Sequence, residues 1–458
     1  MIAAALLLFF LQQDPVSREE FEKMKKEMET LKERIEKRGD LSPQERAEFE
    51  RMRKEIEELK KKAAQEKKDQ EGKTLPEKSE EEAKRKAGTV YSKPFLARMG
   101  RGVYLGGYID LEFFNTQKSD GKTFDQHRFV PFIYADVSEN VKVAAEIEIE
   151  HGGELGVEFA HVDYWMWDWL NFRAGIILDP LGKFNLQHDA PYQDLTDRPL
   201  VDTLVIPAVL REPGLGLFGT IDLDPWKFDY ELYVTNGFKG LDKSGSNKIS
   251  TSKGLKDARI LPGKLGSLGK DFNDNKSVVG RFSVSPFLGV EAGVSTHIGR
   301  YDERGDNLLS IYALDWTLDF GGIYNMFFSG DGILRDIFFA LVVVGEFAFA
   351  DIERDDFAIS KGVPNDFRGF YVEGRYHFMF EFLRKIIPGA NDESTFTAIV
   401  RWDYTDLASV VRKRLTLGLN FRLREDTVFK FEYQFNREAG DLDEDEDDGF
   451  IFSVATYF

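Results

Sequence analysis

The chain predicts an all-β protein, a 16-stranded antiparallel transmembrane β-barrel preceded by an N-terminal α-helical coiled-coil segment. Three observations carry this. From about residue 100 onward, short runs alternate apolar and polar side chains with period two, as strands with one greasy and one wet face do. Connections after even-numbered runs are mostly tight and those after odd-numbered runs mostly longer, as at the two rims of a membrane barrel. The chain finishes on an aromatic strand holding Phe450, Phe452, Val454, Thr456 and Phe458.

Composition narrows the alternatives. The 458 residues carry a net charge of −19, and nearly all of it lies beyond the first hundred residues, which are close to neutral. So acidic a balance argues against nucleic acid as a partner. After the N-terminus no run reaches the roughly 18 apolar residues of a membrane-spanning helix. That excludes helical spans only, because barrel strands place every second residue on lipid. With 0 cysteines there are no disulfides, thiolate nucleophiles or cysteine zinc sites.

In chain order, Ile2 to Leu11 is an apolar run suited to the core of a secretory signal, and residues 1–13 are assigned to one. It is imperfect, with no base before the run and no small-x-small cleavage site after it. Residues 14–66 change to helical spacing. Phe21, Met24, Met28, Leu31 and Ile35 form one coiled-coil seam, opened by the capping box Ser17/Glu20 and closed at Arg38-Gly39-Asp40. Ser42 with Glu45, and Pro43 at the first helical position, open a second helix with seam Phe49, Met52, Ile56, Leu59 and Ala63. The two seams fit either a hairpin or a coiled coil between subunits, placed in the periplasm. Residues 67–99 are charged, lack an apolar period and read as a linker.

Residues 100–458 form the barrel. Period-two runs fall near 103–114, 126–137, 141–150, 155–166, 170–179, 214–223, 226–236, 277–285, 288–299, 308–319, 338–351, 367–380, 394–405, 413–424, 427–437 and 449–458. Sixteen is even, as bacterial barrels require. Two connections after even-numbered runs, Phe320 to Ile337 and Glu381 to Glu393, are too long for tight turns and suggest one misdrawn strand pair. Trp165, Trp167, Trp169, Trp226 and Trp316 fall at the tight-turn rim, where indoles suit the headgroup level.

If the Phe and Leu face meets lipid, parity assigns Glu146 and Glu148 to the lumen wall on early strands and Arg375, Arg401, Arg422, Arg424 and Lys430 on late ones. A basic wall then faces an acidic one across water, giving a transverse field. The connection from Pro180 to Pro213 is over thirty residues long, rich in proline and apolar side chains, and is expected to fold into the barrel. Asp189, Asp194, Asp197, Arg198, Asp202 and Arg211 would border a constriction opposite the basic wall. The stretch from Lys239 to Lys270, with bases spaced among Gly and Ser, reads as a solvated loop. Asp441 to Asp448 matches no EF-hand spacing. Gly214-x-Gly-x-x-Gly219 lies within a strand run, which a nucleotide fingerprint does not.

The segment Asp194-Leu-Thr-Asp-Arg-Pro-Leu-Val, followed by Pro207 and by Glu212-Pro-Gly-Leu-Gly-Leu-Phe-Gly, resembles the third-loop region of phosphate-selective porins of the O and P type. The resemblance runs loosely over residues 102–458 and implies sixteen strands, trimers, and anion passage along arginine and lysine, with Arg198 and Arg211 at the matching positions. The loop here holds more Asp than Arg, so phosphate selectivity does not carry over. The expectation is an outer-membrane porin, passing small hydrophilic solutes or ions through a water-filled barrel narrowed by residues 180–213, with at most mild cation preference. It is not an enzyme, and no cofactor or metal ligand is assigned. The expected partners are solutes, outer-membrane lipid, two further copies in a homotrimer, and cell wall through the coiled coil. A structural tether, with the barrel as anchor, is the rival reading.

Overall fold

The computed structural model describes residues 102–117, 122–260, 271, 273–328, 330–439 and 445–458. The signal, coiled-coil and linker assignments lie outside them. Sixteen antiparallel strands form one closed sheet: β1 (Val103–Thr116), β2 (Thr123–Asp136), β3 (Val141–Glu150), β4 (Glu154–Trp167), β5 (Leu170–Leu178), β6 (Arg211–Leu223), β7 (Trp226–Thr235), β8 (Ser277–Phe287), β9 (Val290–Arg300), β10 (Leu308–Asp319), β11 (Leu341–Ile352), β12 (Asp366–Phe378), β13 (Thr395–Asp406), β14 (Val411–Arg424), β15 (Thr427–Ala439) and β16 (Gly449–Tyr457). Each pairs with the next, and β1 closes the ring on β16 from Tyr108↔Tyr457 to Thr116↔Gly449. Asp445–Glu446 adds a two-residue rung to β15. Closure removes both edges, so every strand finds ladder partners on two sides.

Alternation has the sense the sequence predicts. On β15 the inward Lys430, Glu432 and Gln434 are buried, while outward Phe431, Tyr433 and Phe435 stay 36–44 % exposed. On β14, Arg414, Thr416 and Asn420 are buried and Leu417 and Leu419 are exposed. The same apolar outer face continues through Leu215, Leu232, Phe282, Val294, Leu314, Phe347, Val372 and Val400. A continuous apolar belt around a polar interior is stable only with hydrocarbon outside. Trp167 and Trp169 stack 5.6 Å apart at one rim, both more than half exposed.

Two expectations change. The long connections after β10 and β12 are not misdrawn strands, since both flanking pairs are in full register. They are short helices instead: Phe320–Phe327, capped by the Asp319 side chain accepting from Gly321 N, then Ile333–Ala340, and Glu381–Ile386. Their exposed Phe327, Ile333, Leu334, Phe382 and Ile386 extend apolar surface at the rim. The stretch after β7 is not a solvated loop over its described part. Leu241, Ile249, Leu255 and Ala258 are buried with Val201, Leu204 and Ile206 and with the wall residues Tyr233, Ile311 and Phe367. Basic residues spaced by glycine conceal these aliphatic anchors, and those decide the packing.

Candidate functional site: a loop folded into the bore

Residues 179–210 leave β5, run inward and spread over the lumen wall. Local chemistry starts the fold. Gly182 has φ 71°, a left-handed conformation, and a Cβ there would collide with the Glu346 carboxylate of β11. The same carboxylate accepts from Lys183 N at 3.0 Å and Phe184 N at 3.2 Å, satisfying the first turn of the short helix Lys183–Leu186. Lys183 Nζ then donates to Glu291 at 2.7 Å and Thr317 at 2.9 Å.

Further on, the loop lies against the basic wall. Asp194 accepts from Arg422 at 2.9 Å and Asn420 at 2.8 Å and pairs with Arg375 at 3.1 Å. Arg422 also donates to the carbonyls of Pro191, Tyr192 and Gln193. Lys430, 1 % exposed, donates to Ala190 O at 2.8 Å and Leu195 O at 3.1 Å. Arg401 donates to Asp197 O at 2.9 Å, and Arg414 pairs with the Asp197 carboxylate at 3.2 Å. Glu432 accepts from Thr196 N, and Asp403 from Leu200 N at the start of the helix Leu200–Leu204. Burial raises the Asp194 carboxyl, but Arg375 and Arg422 outweigh it and hold the group well below the usual carboxylate range.

The expected constriction therefore has a different geometry. Asp194 and Asp197 do not face the basic wall across water; they rest on it, because loop carboxylates and carbonyls neutralise guanidinium groups that would otherwise be buried unpaired. Arg375, Arg401, Arg422 and Lys430 are thus occupied by the loop, while Arg424 sits exposed at a strand end beside a register shift. Asp189 accepts from Tyr457 at 2.8 Å and is buried against β16. Asp202 is fully buried, and burial together with the nearby Glu346 carboxyl raises it well above its ordinary value.

On the opposite side, Arg198 and Arg211 turn toward β1–β3. Arg211 lies 3.5 Å from Glu148, and Arg128 of β2 lies 3.5 Å from both Glu148 and Asp110. Arg198 donates to Ala208 O at 2.9 Å, and its Nε and Nη2 have no partner among the described residues. Arg259, from the connection after β7, donates to Pro207 O at 3.0 Å. Burial, then Arg211 and Arg198, pull Arg259 down to about 10. Glu146 is buried on the same early wall and accepts from Tyr134 at 2.9 Å. Partly exposed polar groups here include His127, Glu150, Asp197 and Arg198.

Strand parity reaches Arg414, which shares a face with Thr416 and Asn420, but the sequence reading omits it. Arg128 and Glu346 are harder. Arg128 shares its inward face with Val130 and Phe132, buried against Leu186 and Ala190 of the loop, so the greasy-outside criterion inverts on β2. The structure also gathers two groups with metal-ligand spacing where none is assigned from sequence: Glu158, His188 and Asp189, and Asp179, Glu212 and His297.

No family model matches the chain. An uncharacterized protein of Aquifex aeolicus (strain VF5) is 29% identical over 314 residues, which are 64% of this chain and 65% of that relative, so the chain spans somewhat under two thirds of the relative's length. Among solved structures, similarity extends to a loop-deletion mutant of OmpT, an outer membrane protein of Vibrio cholerae, at TM-score 0.45 and 12% identity, covering 78% of this chain and 99% of that one. The outer membrane channel DcaP of Acinetobacter baumannii gives 0.44 and 11%, covering 78% and 97%. Salmonella typhi OmpF in complex with daunomycin gives 0.46 and 10%, also covering 78% and 97%.

Proposed function

We propose that the protein is an outer-membrane porin, a passive and weakly selective diffusion channel for small hydrophilic solutes and ions. The observation that carries this is a closed barrel with apolar side chains outside and ionised ones inside, since such an interior has no role in a barrel that only anchors. The passage follows the partly exposed polar groups on the side of the bore away from the basic wall, among them His127, Glu150, Asp197 and Arg198. Opposed charges in similar number support weak ion preference, and the surrounding acidity favours cations slightly. A homotrimer, a periplasmic coiled coil and its contact with the cell wall belong to the same proposal, as does the absence of enzymatic activity.

Planar-bilayer recording of the purified full chain tests it. Discrete, stable current steps with a reversal potential near zero in a salt gradient are expected. A barrel that inserts but carries no current would replace the porin with an anchor.

A further inference from the structure

At the neck of the inward loop, where it leaves β5 and re-enters the sheet at β6, three ligand-type side chains converge. Asp179 is the first loop residue, Glu212 lies on β6, and His297 reaches across from β9; one donor atom from each lies within 4.8 Å of the others. All three are at most 1 % exposed. Among the described residues neither Asp179 carboxylate oxygen has a hydrogen-bond partner, and neither does Glu212 Oε1. His297 Nε2 lies 3.5 Å from Glu212 Oε2, and Phe238 packs edge-on against the imidazole with centroids 5.0 Å apart, fixing the ring. No lysine or arginine pairs with either acid among the ion pairs of the described residues. Two buried carboxylates without a cation are costly, on the order of several kcal/mol per uncompensated charge.

We propose that Asp179, Glu212 and His297 form a site for a divalent transition-metal ion, zinc or manganese in class, that staples the neck of the inward loop to β9. The donor set selects the class: an imidazole nitrogen beside two carboxylate oxygens suits zinc or manganese, whereas calcium and magnesium take oxygen donors. The size fits as well. Three donors about 2.1 Å from one ion stand roughly 3.4–3.6 Å from each other, and His297 Nε2 and Glu212 Oε2 already have that spacing at 3.5 Å. Asn185 already ties the neck together, donating from Nδ2 to Asp179 O at 2.8 Å and Leu210 O at 2.9 Å and accepting at Oδ1 from Leu210 N. The ion would hold the same junction to a strand three places along the sheet.

The second cluster is weaker, because His188 is already engaged by both Glu158 and Asn185 O, and Asp189 by Tyr457. It serves as the control. The full chain, folded in detergent and stripped with EDTA, is loaded with zinc chloride, passed over a desalting column and assayed for metal. Wild type and His188→Ala are expected to retain one zinc per chain more than His297→Ala and Glu212→Gln. Zinc raises the melting temperature of wild type and leaves Glu212→Gln unmoved. In EDTA the order reverses, and Glu212→Gln melts above wild type because a buried charge is gone. Equal zinc content in wild type, His297→Ala and Glu212→Gln overturns the proposal, as does a melting shift produced by calcium chloride and not by zinc. Unchanged melting in zinc also overturns it and leaves Asp179 and Glu212 as a pair sharing a proton.

Discussion

Individual residues decide whether the loop stays docked. Arg422 binds Asp194 and three loop carbonyls, and removing it leaves the buried Asp194 carboxylate short of a donor, at about 1–3 kcal/mol. Arg422→Ala is therefore expected to loosen residues 190–195 and raise single-channel conductance with noisier open current; unchanged conductance would show that this stretch does not border the passage. Gly182→Ala forces a side chain into the Glu346 carboxylate at a left-handed φ. Its expected result is a lower melting temperature for the detergent-solubilised barrel, by several degrees, and faster proteolysis within residues 180–210. Asp202 gives a pH dependence with a definite sign. Its folded value is raised by burial and by Glu346, so full stability is present below the ordinary carboxylate range. It falls as pH rises from there through the raised value, where the unfolded chain has already released a proton the folded one retains. Melting temperature should accordingly climb as pH drops from 8 to 5, and Asp202→Asn should flatten the slope. Asp194, held low by Arg375 and Arg422, stays ionised over that window.

At the level of elements, the loop and the helical connectors obey different rules from the strands. Residues 179–210 carry four prolines and little regular structure, so their order comes from wall side chains and not from backbone ladders. Excising residues 183–207 and joining the ends with a short Gly-Ser linker should leave the barrel folded, as judged by a β-type circular dichroism spectrum, and should increase conductance several-fold. A barrel that fails to fold would mean that the loop nucleates closure. The helices Phe320–Phe327, Ile333–Ala340 and Glu381–Ile386 expose apolar faces at the rim reached by Trp167 and Trp226. Apolar helices at that level belong in the headgroup zone. Tryptophan introduced at Leu334 should be quenched by brominated lipid, and unquenched fluorescence would place that face in water.

On the scale of the whole molecule, the barrel wall was legible because one physical contrast repeats sixteen times. Lipid admits apolar side chains, water and the loop admit polar ones, and period two sorts them, so strand ends predicted from sequence lie within three residues of those observed. The reading failed where a third environment intervened. β2 turns Val130 and Phe132 inward because the loop offers them an apolar surface, and the stretch after β7 buries Leu241, Ile249 and Leu255 beneath a basic, glycine-spaced exterior. Neither the loop's surface nor the partners of those leucines has a signature in local spacing.

By itself, then, the amino-acid order determined the strand count, the face given to lipid and the segment that turns inward, because each follows from side-chain periodicity or from a proline-rich insertion too long and apolar for solvent. Only the tertiary structure decided which wall that segment covers, that Asp194 neutralises Arg375 and Arg422 instead of facing them across water, and that Asp179, Glu212 and His297 meet at its neck. Those outcomes depend on bringing buried charged groups together from distant points of the chain, and the energy of such a pair is set by distance in space, which sequence separation does not encode.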